Sequence, residues 1–283
     1  MKCLLITGAD GFTGRHLCRA AEKMGYKVVP FCSDLTDENA VASEVASICP
    51  THVIHLAAIS AVTHEDQEAI YKVNLFGSLN LLKAISSLPK KPERVLLASS
   101  ANVYGNTNTE LISEVVCPQP VNHYAMSKLA MEFMAIANAS DLPIVITRPF
   151  NYTGIGHDNR FVIPKIVEHF KRGAAEIELG NLDVYREYND VRMVCDAYLK
   201  LLEYGVKHEI YNICTGRAYS LREVISTVEE VSGKNIEIKV NPAFIRVNEV
   251  HKLAGNPEKL NATVGELRIY SLRETLAWML LHS

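Results

Sequence analysis

The amino-acid sequence predicts a doubly wound α/β fold, in which helices cover a parallel sheet, followed by a smaller α/β lobe. Three observations lead to this prediction. Short apolar runs alternate with helical stretches up to about residue 150, which is the order of a parallel α/β fold. The runs are continuously apolar, as expected of strands buried on both faces. Three glycines directly follow the first run, at the turn into a helix.

The predicted elements can be assigned in chain order. Strands are expected at 2–7, 28–31, 52–57, 94–99 and 143–148, and helices over about 12–24, 37–48, 66–88 and around Tyr124. Beyond residue 150 we expect a helix in about 160–172, a strand at 176–179, a helix near 191–204 and a strand at 209–214. Ser220 and Ser271 each begin an S-L-R-E run, which matches a capping box and predicts two further helix starts.

Composition restricts the function classes. The 283 residues are 48% hydrophobic and 22% charged, with a net charge of -3, so neither nucleic acid nor an anionic membrane is an expected partner. No apolar run reaches the ~18–20 residues of a membrane span. Seven scattered cysteines without C-x-x-C spacing favour a reduced, cytoplasmic protein. His52 and His55 lie three apart in a predicted strand and point to opposite faces, so we expect no metal site there.

Gly8, Gly11 and Gly14 occupy the turn between the first strand and the first helix. Without Cβ atoms such a turn is tight, and a pyrophosphate can approach the N–H groups at the positive end of the helix. The third glycine allows close packing of helix on strand. This context predicts dinucleotide binding, although the G-x-x-G-x-x-G spacing differs from the G-x-G-x-x-G of simple dehydrogenases.

Tyr124 and Lys128 lie four residues apart, so a helix places them on one face, one turn apart. A lysine ammonium near a phenol stabilises the phenolate and lowers the tyrosine pKa from about 10, which suits proton transfer near neutral pH. The alternative is a half-buried aromatic ring beside a solvated lysine.

The motif TGADGFTG resembles the fingerprint of the extended short-chain dehydrogenase/reductase family, which acts largely on nucleotide-sugars. The runs SSANVYG and YAMSK resemble the segments that carry its Ser/Thr, Tyr and Lys. The resemblance covers nearly the whole chain and implies a Rossmann-type sheet and an NAD or NADP cofactor. The catalytic residues it implies are Ser100, Tyr124 and Lys128. The cofactor-binding residues it implies, besides Tyr124 and Lys128, are Gly8, Gly11, Phe12, Thr13, Gly14, Asp34, Leu35, Leu56, Ala57, Ala58 and Asn74.

The choice between NAD and NADP stays open in the sequence. Asp34 lies 20 residues after Gly14 and is a candidate for the adenosine ribose, while in this family an Asp-Leu pair such as Asp34-Leu35 often reaches the adenine. No arginine follows the second strand to hold a 2′-phosphate.

We expect residues 1–150 to form the dinucleotide-binding domain, with 186–214 returning to it. Residues 151–185 and 215–283 are expected to form the substrate-binding lobe.

The substrate side resembles one subgroup, the GDP-4-keto-6-deoxy-D-mannose reductases. RPFNYTG resembles the family's segment that leads into the sugar-nucleotide site, and GNLDVYREYNDVR and YNICTGRAYSLREV follow the subgroup in order. Together these resemblances imply substrate contacts by Ser100, Asn151, Lys165, Arg186 and Arg246. The planar guanidinium of an arginine suits a diphosphate. Lys165 and both arginines also have an ordinary interpretation as surface residues. The chain departs from the subgroup at Met193 and around Arg246, which affects the choice of substrate more than the reaction class.

Two positions narrow the reaction. Sugar-nucleotide 4,6-dehydratases of this family carry an Asp-Glu pair directly after the Ser/Thr, whereas this chain has Ala101 and Asn102. The first hypothesis is a reductase for the C4 ketone of a nucleotide-linked 4-keto-6-deoxy sugar. The alternatives are a nucleotide-sugar 4-epimerase that uses the same residues and, from another class, a non-catalytic dinucleotide-binding regulator. The resemblance also implies a homodimer.

Overall fold

The computed structural model describes residues 2–60, 66–107, 109–245 and 251–282. Its central feature is a sheet of six parallel strands in the order β2-β1-β3-β4-β5-β10. These strands are β1 (Cys3–Thr7), β2 (Lys27–Pro30), β3 (His52–His55), β4 (Arg94–Ala98), β5 (Ile144–Pro149) and β10 (Ile210–Ile213). The chain order reverses between β1 and β3, and in parallel sheets ligands bind outside the carboxyl ends of the strands at such a point.

Helices cover both faces of this sheet, as the continuously apolar strands predict. One face packs on α1 (Phe12–Lys23), α7 (Val191–Tyr204) and α9 (Glu258–Val264). The other face packs on α2 (Glu38–Ile48), α4 (Ser78–Ser86) and α5 (His123–Asn138). Successive residues of β1 alternate between the two cores, with Leu4 and Ile6 on the first face and Leu5 on the second.

A second core lies beyond β5. It joins α6 (Val162–Lys171), α8 (Leu221–Ser232) and α10 (Leu272–Leu281) to a parallel pair, β7 (Glu176–Leu179) and β12 (Glu237–Val240). A three-stranded sheet of β11 (Ala218–Ser220), β8 (Tyr185–Glu187) and β13 (Lys252–Leu253) and a short pair of β6 (Tyr152–Thr153) and β9 (Asn189–Asp190) lie in this part of the chain. The division into a dinucleotide-binding domain and a substrate-binding lobe stays a prediction.

Most predicted elements are present, and one is interrupted. Ser220 and Ser271 each form a complete capping box at the starts of α8 and α10. The single helix predicted over 66–88 is instead α3 (Gln67–Tyr71), a π-helical segment at Lys72–Gly77 and α4. A π-helical turn shifts the register of the helix and is common at functional sites. Within the described ranges, no helix is both long and apolar enough to span a membrane.

Candidate active site

The glycine turn forms a cradle in which added side-chain atoms would collide with backbone. A Cβ on Gly14 would lie 2.1 Å from the carbonyl oxygen of Gly8, and a Cβ on Gly8 would lie 3.0 Å from the backbone of Ala57. Gly8 also adopts φ +67°, a left-handed conformation that favours glycine. The turn thus brings β1, the start of α1 and the segment after β3 into direct contact. Its shape fits a pyrophosphate held against backbone N–H groups.

A Gly14→Ala substitution tests the cradle. We expect it to lower the free energy of unfolding by about 1–3 kcal/mol or more, because backbone atoms must move to admit the methyl group. Urea denaturation measures this loss. Gly11→Ala is the matched control, since its Cβ would lie 3.2 Å from the same Gly8 oxygen and needs only a small shift. Equal stability of the two variants would contradict the steric account.

A cleft of about 460 Å³ opens beside this turn. Its opposite wall is the segment that follows β2, including Asp34 and Leu35. The Asp34 carboxylate accepts hydrogen bonds from the backbone N–H and the hydroxyl of Thr36, and these bonds lower its pKa. Leu35 is buried against Gly77 of the π-helical segment. The residues present therefore fit a dinucleotide along the carboxyl ends of β1, β2 and β3.

The segment after β3, which carries Leu56, Ala57 and Ala58, is held by a buried hydrogen-bond network. The N–H groups of Leu56 and Ala57 donate to the hydroxyl oxygen of Thr7 at 3.2 and 3.1 Å. That hydroxyl is 2.6 Å from Nδ1 of His55, whose Nε2 is 2.7 Å from the hydroxyl of Ser78. Because Ser78 donates to the carbonyl oxygen of Asn74, the network continues into the π-helical segment.

Asn74 carries the network to the helix of Tyr124. Its Oδ1 accepts from the N–H of Ile59 at 2.8 Å, and its Nδ2 donates to the carbonyl oxygen of Ile59 and to Ser127, both at 3.1 Å. The Ser127 hydroxyl in turn donates to the carbonyl oxygen of Tyr124 at 2.8 Å. Asn74 is fully buried, although polar residues within helices mostly face water. Its amide connects the segment after β3 to α5.

The buried ring of His55 predicts a pH dependence of stability. Burial lowers the pKa of His55 from 6.5 to about 3. Between these values the unfolded chain binds a proton that the folded chain does not, so the free energy of unfolding falls as the pH is lowered. We expect a contribution of up to about 1.4 kcal/mol per pH unit below about pH 6.

Denaturation of the wild type and of a His55→Asn variant between pH 7 and pH 5 measures this contribution. We expect a shallower pH dependence in the variant. His282→Asn, which removes an exposed imidazole, is expected to keep the wild-type dependence. The explanation fails if the His55→Asn slope matches that of the wild type.

Phe12 and Thr13, at the start of α1, contact the chain beyond β5. The Phe12 ring stacks on His157 with centroids 4.3 Å apart, and His157 stacks in turn on Phe161 at 4.4 Å. The Thr13 hydroxyl lies 2.8 Å from the hydroxyl of Tyr152. These contacts attach residues 152–161 to the glycine turn.

The three predicted catalytic residues lie at the carboxyl end of β4 and in the first turns of α5. Tyr124 and Lys128 are both buried in α5, and Ser100 is the N-cap of the short 3-10 helix Ala101–Tyr104. The Ser100 hydroxyl accepts a hydrogen bond from the N–H of Asn102 at 3.2 Å and forms one with the Tyr124 side chain. Lys128 donates to the carbonyl oxygen of Ala98 at 2.7 Å. Ser100 therefore caps a turn and also contacts Tyr124.

The expected direction of the Tyr124 pKa is wrong for this arrangement. Burial raises the pKa of Tyr124, and the hydrogen bond with Ser100 lowers it only in part. Burial also lowers the pKa of Lys128 to about 8, while the nearby Glu132 raises it. The Lys128 ammonium donates its hydrogen bond to the Ala98 carbonyl oxygen. The Tyr124 phenol keeps its proton at neutral pH. A protonated phenol in this position is chemically able to donate a proton.

The predicted substrate residues lie at different places beyond β5. Asn151 has an exposed side chain between β5 and β6. Lys165 donates to the carbonyl oxygen of Glu178 at 2.7 Å and lies over the ring of Phe244. Arg186, on β8, donates to the carbonyl oxygens of Tyr185 and His251 at 2.8 and 3.3 Å. Arg246 falls outside the described residues.

Sequence reasoning missed a buried carboxylate directly after Arg186. Glu187 is fully buried, and its oxygens accept hydrogen bonds from the N–H groups of Thr215, Gly216 and Gly255 at 2.7, 3.3 and 2.7 Å. Asn189 donates to it as well, at 2.9 Å. It therefore ties together the segments around β8, the strand that carries Arg186. A glutamate inside a strand gives no sequence signal of such a role, because glutamates are mostly exposed.

Ser127 and Thr7 were also missed. Both are hydroxyl residues at positions that the helix and strand patterns place on buried faces, and a buried hydroxyl needs a hydrogen-bond partner. That requirement is the sequence signal that could have identified them.

In the part of the chain that the structure describes, no group of three or more His, Cys, Asp or Glu side chains is arranged to hold a metal ion.

Comparison with known proteins agrees with this geometry. The model of the NAD dependent epimerase/dehydratase family matches residues 4–214. GDP-6-deoxy-D-talose 4-dehydrogenase from Aggregatibacter actinomycetemcomitans is 36% identical, over 98% of this chain and 96% of its own length. GDP-6-deoxy-D-mannose reductase from Pseudomonas aeruginosa is 32% identical, over 96% of this chain and 94% of its own length.

Solved structures have the same fold. An epimerase candidate from Burkholderia cenocepacia J2315 is 43% identical with a TM-score of 0.94, over 99% of this chain and 97% of its own. RMD from Pseudomonas aeruginosa complexed with NADPH is 29% identical with a TM-score of 0.90, over 99% and 97%. UDP-glucose 4-epimerase from Thermus thermophilus in complex with NAD is 27% identical with a TM-score of 0.89, over 99% and 98%. The chain belongs to the NAD dependent epimerase/dehydratase family and is an NAD(P)-dependent enzyme of the extended short-chain dehydrogenase/reductase type.

Proposed function

We propose that this enzyme reduces the C4 ketone of a nucleotide-linked 4-keto-6-deoxy sugar of the GDP-4-keto-6-deoxymannose type. The observation that carries the proposal is that two relatives, similar over nearly the full length of both chains, are named for redox chemistry at C4 or on a GDP-6-deoxy sugar. Ala101 and Asn102 support it, because a methyl group and an amide do not supply the acid and base that elimination of water requires.

The site supplies the remaining parts of the reaction. When bound, the nicotinamide supplies the hydride that adds to C4. Tyr124 donates its phenolic proton to the C4 oxygen, and Ser100 holds that oxygen by a hydrogen bond. The raised pKa of Tyr124 keeps the proton in place until it is needed. Lys128, four residues along α5, donates to the Ala98 carbonyl oxygen in this structure, and we propose that its charge stabilises the remaining phenolate from that position without a direct hydrogen bond.

We assign the other predicted residues to binding. Gly8, Gly11, Phe12, Thr13 and Gly14 form the cradle of the pyrophosphate, and Asp34 and Leu35 form the adenosine end. Leu56, Ala57, Ala58 and Asn74 form the wall after β3. Asn151, Lys165, Arg186 and Arg246 are the proposed contacts of the nucleotide-sugar.

The test is a reaction of the purified protein with GDP-4-keto-6-deoxymannose and either NADH or NADPH. The expected result is oxidation of the cofactor only when the keto sugar is present. The loss of absorbance of the reduced nicotinamide measures this oxidation. Nuclear magnetic resonance of the product decides the face of hydride addition, because mannose and talose differ in configuration at C4. Failure to consume cofactor with this substrate would contradict the proposal.

A 4-epimerase is the second candidate, favoured by the similarity to the Burkholderia cenocepacia structure. An epimerase uses the same three residues but returns the hydride to the opposite face of the sugar, so it consumes no cofactor. Conversion of a 4-hydroxy nucleotide-sugar into its C4 epimer, with copurified NAD unchanged in amount, would favour this candidate over the reductase.

We also propose a homodimer through the apolar face formed by Phe76, Met126 and Phe133. These side chains are 58%, 44% and 68% exposed, on the π-helical segment and on α5, which pack side by side. A Phe133→Glu variant is expected to elute as a monomer in size-exclusion chromatography with light scattering, because a charge at a dry contact is unfavourable. Phe244→Glu, at an exposed ring elsewhere, is the control. An unchanged mass of the Phe133→Glu variant would rule out this face.

The cell compartment and the domain division also belong to the proposal. All seven cysteines are free thiols, which supports a reducing compartment such as the cytoplasm. We propose that 1–150 with 186–214 binds the cofactor and that 151–185 and 215–283 bind the sugar nucleotide.

A further inference from the structure

The loop after β2 lies at the part of the cleft where NAD and NADP would differ. Residues 31–35 form the wall of the cleft opposite the glycine turn. In dinucleotide-binding folds the adenosine ribose lies near the carboxyl end of the second strand, where NAD has a 2′-hydroxyl and NADP a 2′-phosphate. The groups around this loop therefore determine whether a phosphate is tolerated.

Glu44 of α2 occupies the backbone donors of this loop. Its Oε1 accepts the N–H of Cys32 at 2.9 Å, and its Oε2 accepts the N–H of Ser33 at 2.7 Å. Successive backbone N–H groups in a turn form a concavity that binds phosphate oxygens. Here the two donors are already paired with a carboxylate of the protein.

The charge at this end of the cleft is negative. Burial raises the pKa of Glu44, but hydrogen bonds from the Ser33 side chain and from both N–H groups more than offset it, so Glu44 is ionised at neutral pH. Asp34, with a lowered pKa, is ionised beside it. Of the described residues that line the cleft, Asp34 lies on this wall, Asp10 lies on the glycine turn opposite, and none is a lysine or arginine. Lys72, on the π-helical segment, is the cation whose field reaches Asp34.

We propose that Glu44 makes the cleft selective for NAD over NADP, by occupying the N–H groups of Cys32 and Ser33 and by opposing the charge of a 2′-phosphate. A phosphate monoester carries about −1.5 to −2 charges at neutral pH, so its approach to two carboxylates is unfavourable. The neutral 2′-hydroxyl of NAD meets no such repulsion. The inference rests on dinucleotide binding in this cleft, but not on the identity of the sugar.

Equilibrium binding without sugar tests the proposal. Isothermal titration calorimetry of NADH and of NADPH, each added to protein freed of copurified nucleotide, gives the dissociation constant of each cofactor. We expect the wild type to bind NADH at least about tenfold more tightly. Glu44→Gln, which keeps the shape without the charge, and Glu44→Ala, which frees both N–H groups, are each expected to tighten NADPH binding at least about fivefold, with NADH binding nearly unchanged. Glu38→Gln, on the first turn of the same helix and paired with Lys83, is the matched control and is expected to keep the wild-type ratio.

Salt dependence supplies a readout that a purely structural role of Glu44 would not move. Raising the ionic strength shortens the screening length from about 10 Å at 0.1 M to about 3 Å at 1 M, so the NADH preference of the wild type should shrink, and that of Glu44→Gln should change less. Equal or tighter binding of NADPH by the wild type would overturn the proposal. An unchanged ratio in both Glu44 variants would also overturn it. Binding of neither nucleotide would overturn it together with the cofactor site, whereas selective NADH binding without turnover of the keto sugar would contradict only the proposed substrate.

Discussion

Replacing Tyr124 with phenylalanine is expected to lower kcat by about 100-fold to 10,000-fold, the usual contribution of a general acid. The variant keeps the buried ring and loses only the hydroxyl that contacts Ser100 and holds the proton for the C4 oxygen. Cofactor binding should stay nearly unchanged, because the glycine cradle is untouched. Steady-state kinetics and titration of the cofactor separate the two effects.

Tyr26→Phe is the matched control for Tyr124→Phe. Tyr26 is also a buried tyrosine, but it lies directly before β2, at the amino-terminal edge of the sheet and away from the site. We expect this control to keep the wild-type kcat. If Tyr124→Phe also keeps it, Tyr124 is not the proton donor and the proposed mechanism is wrong.

The largest loss of stability is expected from Glu132→Ala. Glu132 and Arg148 form a buried ion pair in which Nε donates to Oε1 at 3.0 Å and Nη2 donates to Oε2 at 2.6 Å, with both side chains only 4% exposed. Removing the carboxylate leaves the guanidinium charge buried over the ring of Tyr104 without its partner. The expected loss is about 3–5 kcal/mol of unfolding free energy, measured by urea denaturation.

Two further variants identify the cause of this loss. The double substitution Glu132→Leu with Arg148→Met should recover most of the stability, because it removes both buried charges and fills the space with apolar groups. Glu38→Ala removes one partner of the exposed pair with Lys83 and should cost no more than about 1 kcal/mol. A Glu132→Ala loss no greater than that of the exposed pair would refute the account.

Local sequence patterns were sufficient to predict most of the fold. The apolar runs of β1, β3, β4 and β5 and the capping boxes at Ser220 and Ser271 are signals within a few residues, and the structure follows them. The pattern was insufficient where contacts between distant segments decide the backbone. The helix predicted over 66–88 is interrupted by the π-helical segment. There Gly77 packs on Leu35, and the Asn74 side chain forms two hydrogen bonds with the backbone of Ile59. Strands of two or three residues, such as β13 and β8, are too short to show a period.

The candidate site likewise has features that local sequence patterns predict and features that depend on contacts between distant segments. The glycine spacing and the Tyr124–Lys128 spacing are recognisable because neighbouring residues form a turn and one face of a helix. The expected pKa of Tyr124 was wrong because the pKa depends on burial and on where the Lys128 ammonium points, and neither is a property of spacing. Roles such as that of Glu187 depend on segments distant in the chain, as in its bond to the N–H of Gly255, and have no local signature.

The sequence by itself determined the parallel α/β fold and the glycine turn, and it supplied the candidates for the catalytic residues, because each of these patterns depends on side chains close together along the chain. Only the tertiary structure decided the electrostatics of the site. The protonated state of Tyr124, the carboxylate of Glu44 on the loop after β2 and the hydrogen-bond network from Thr7 to Ser127 arise where distant segments meet away from water. In such places desolvation and partner geometry, rather than residue identity, set the charge and position of each group.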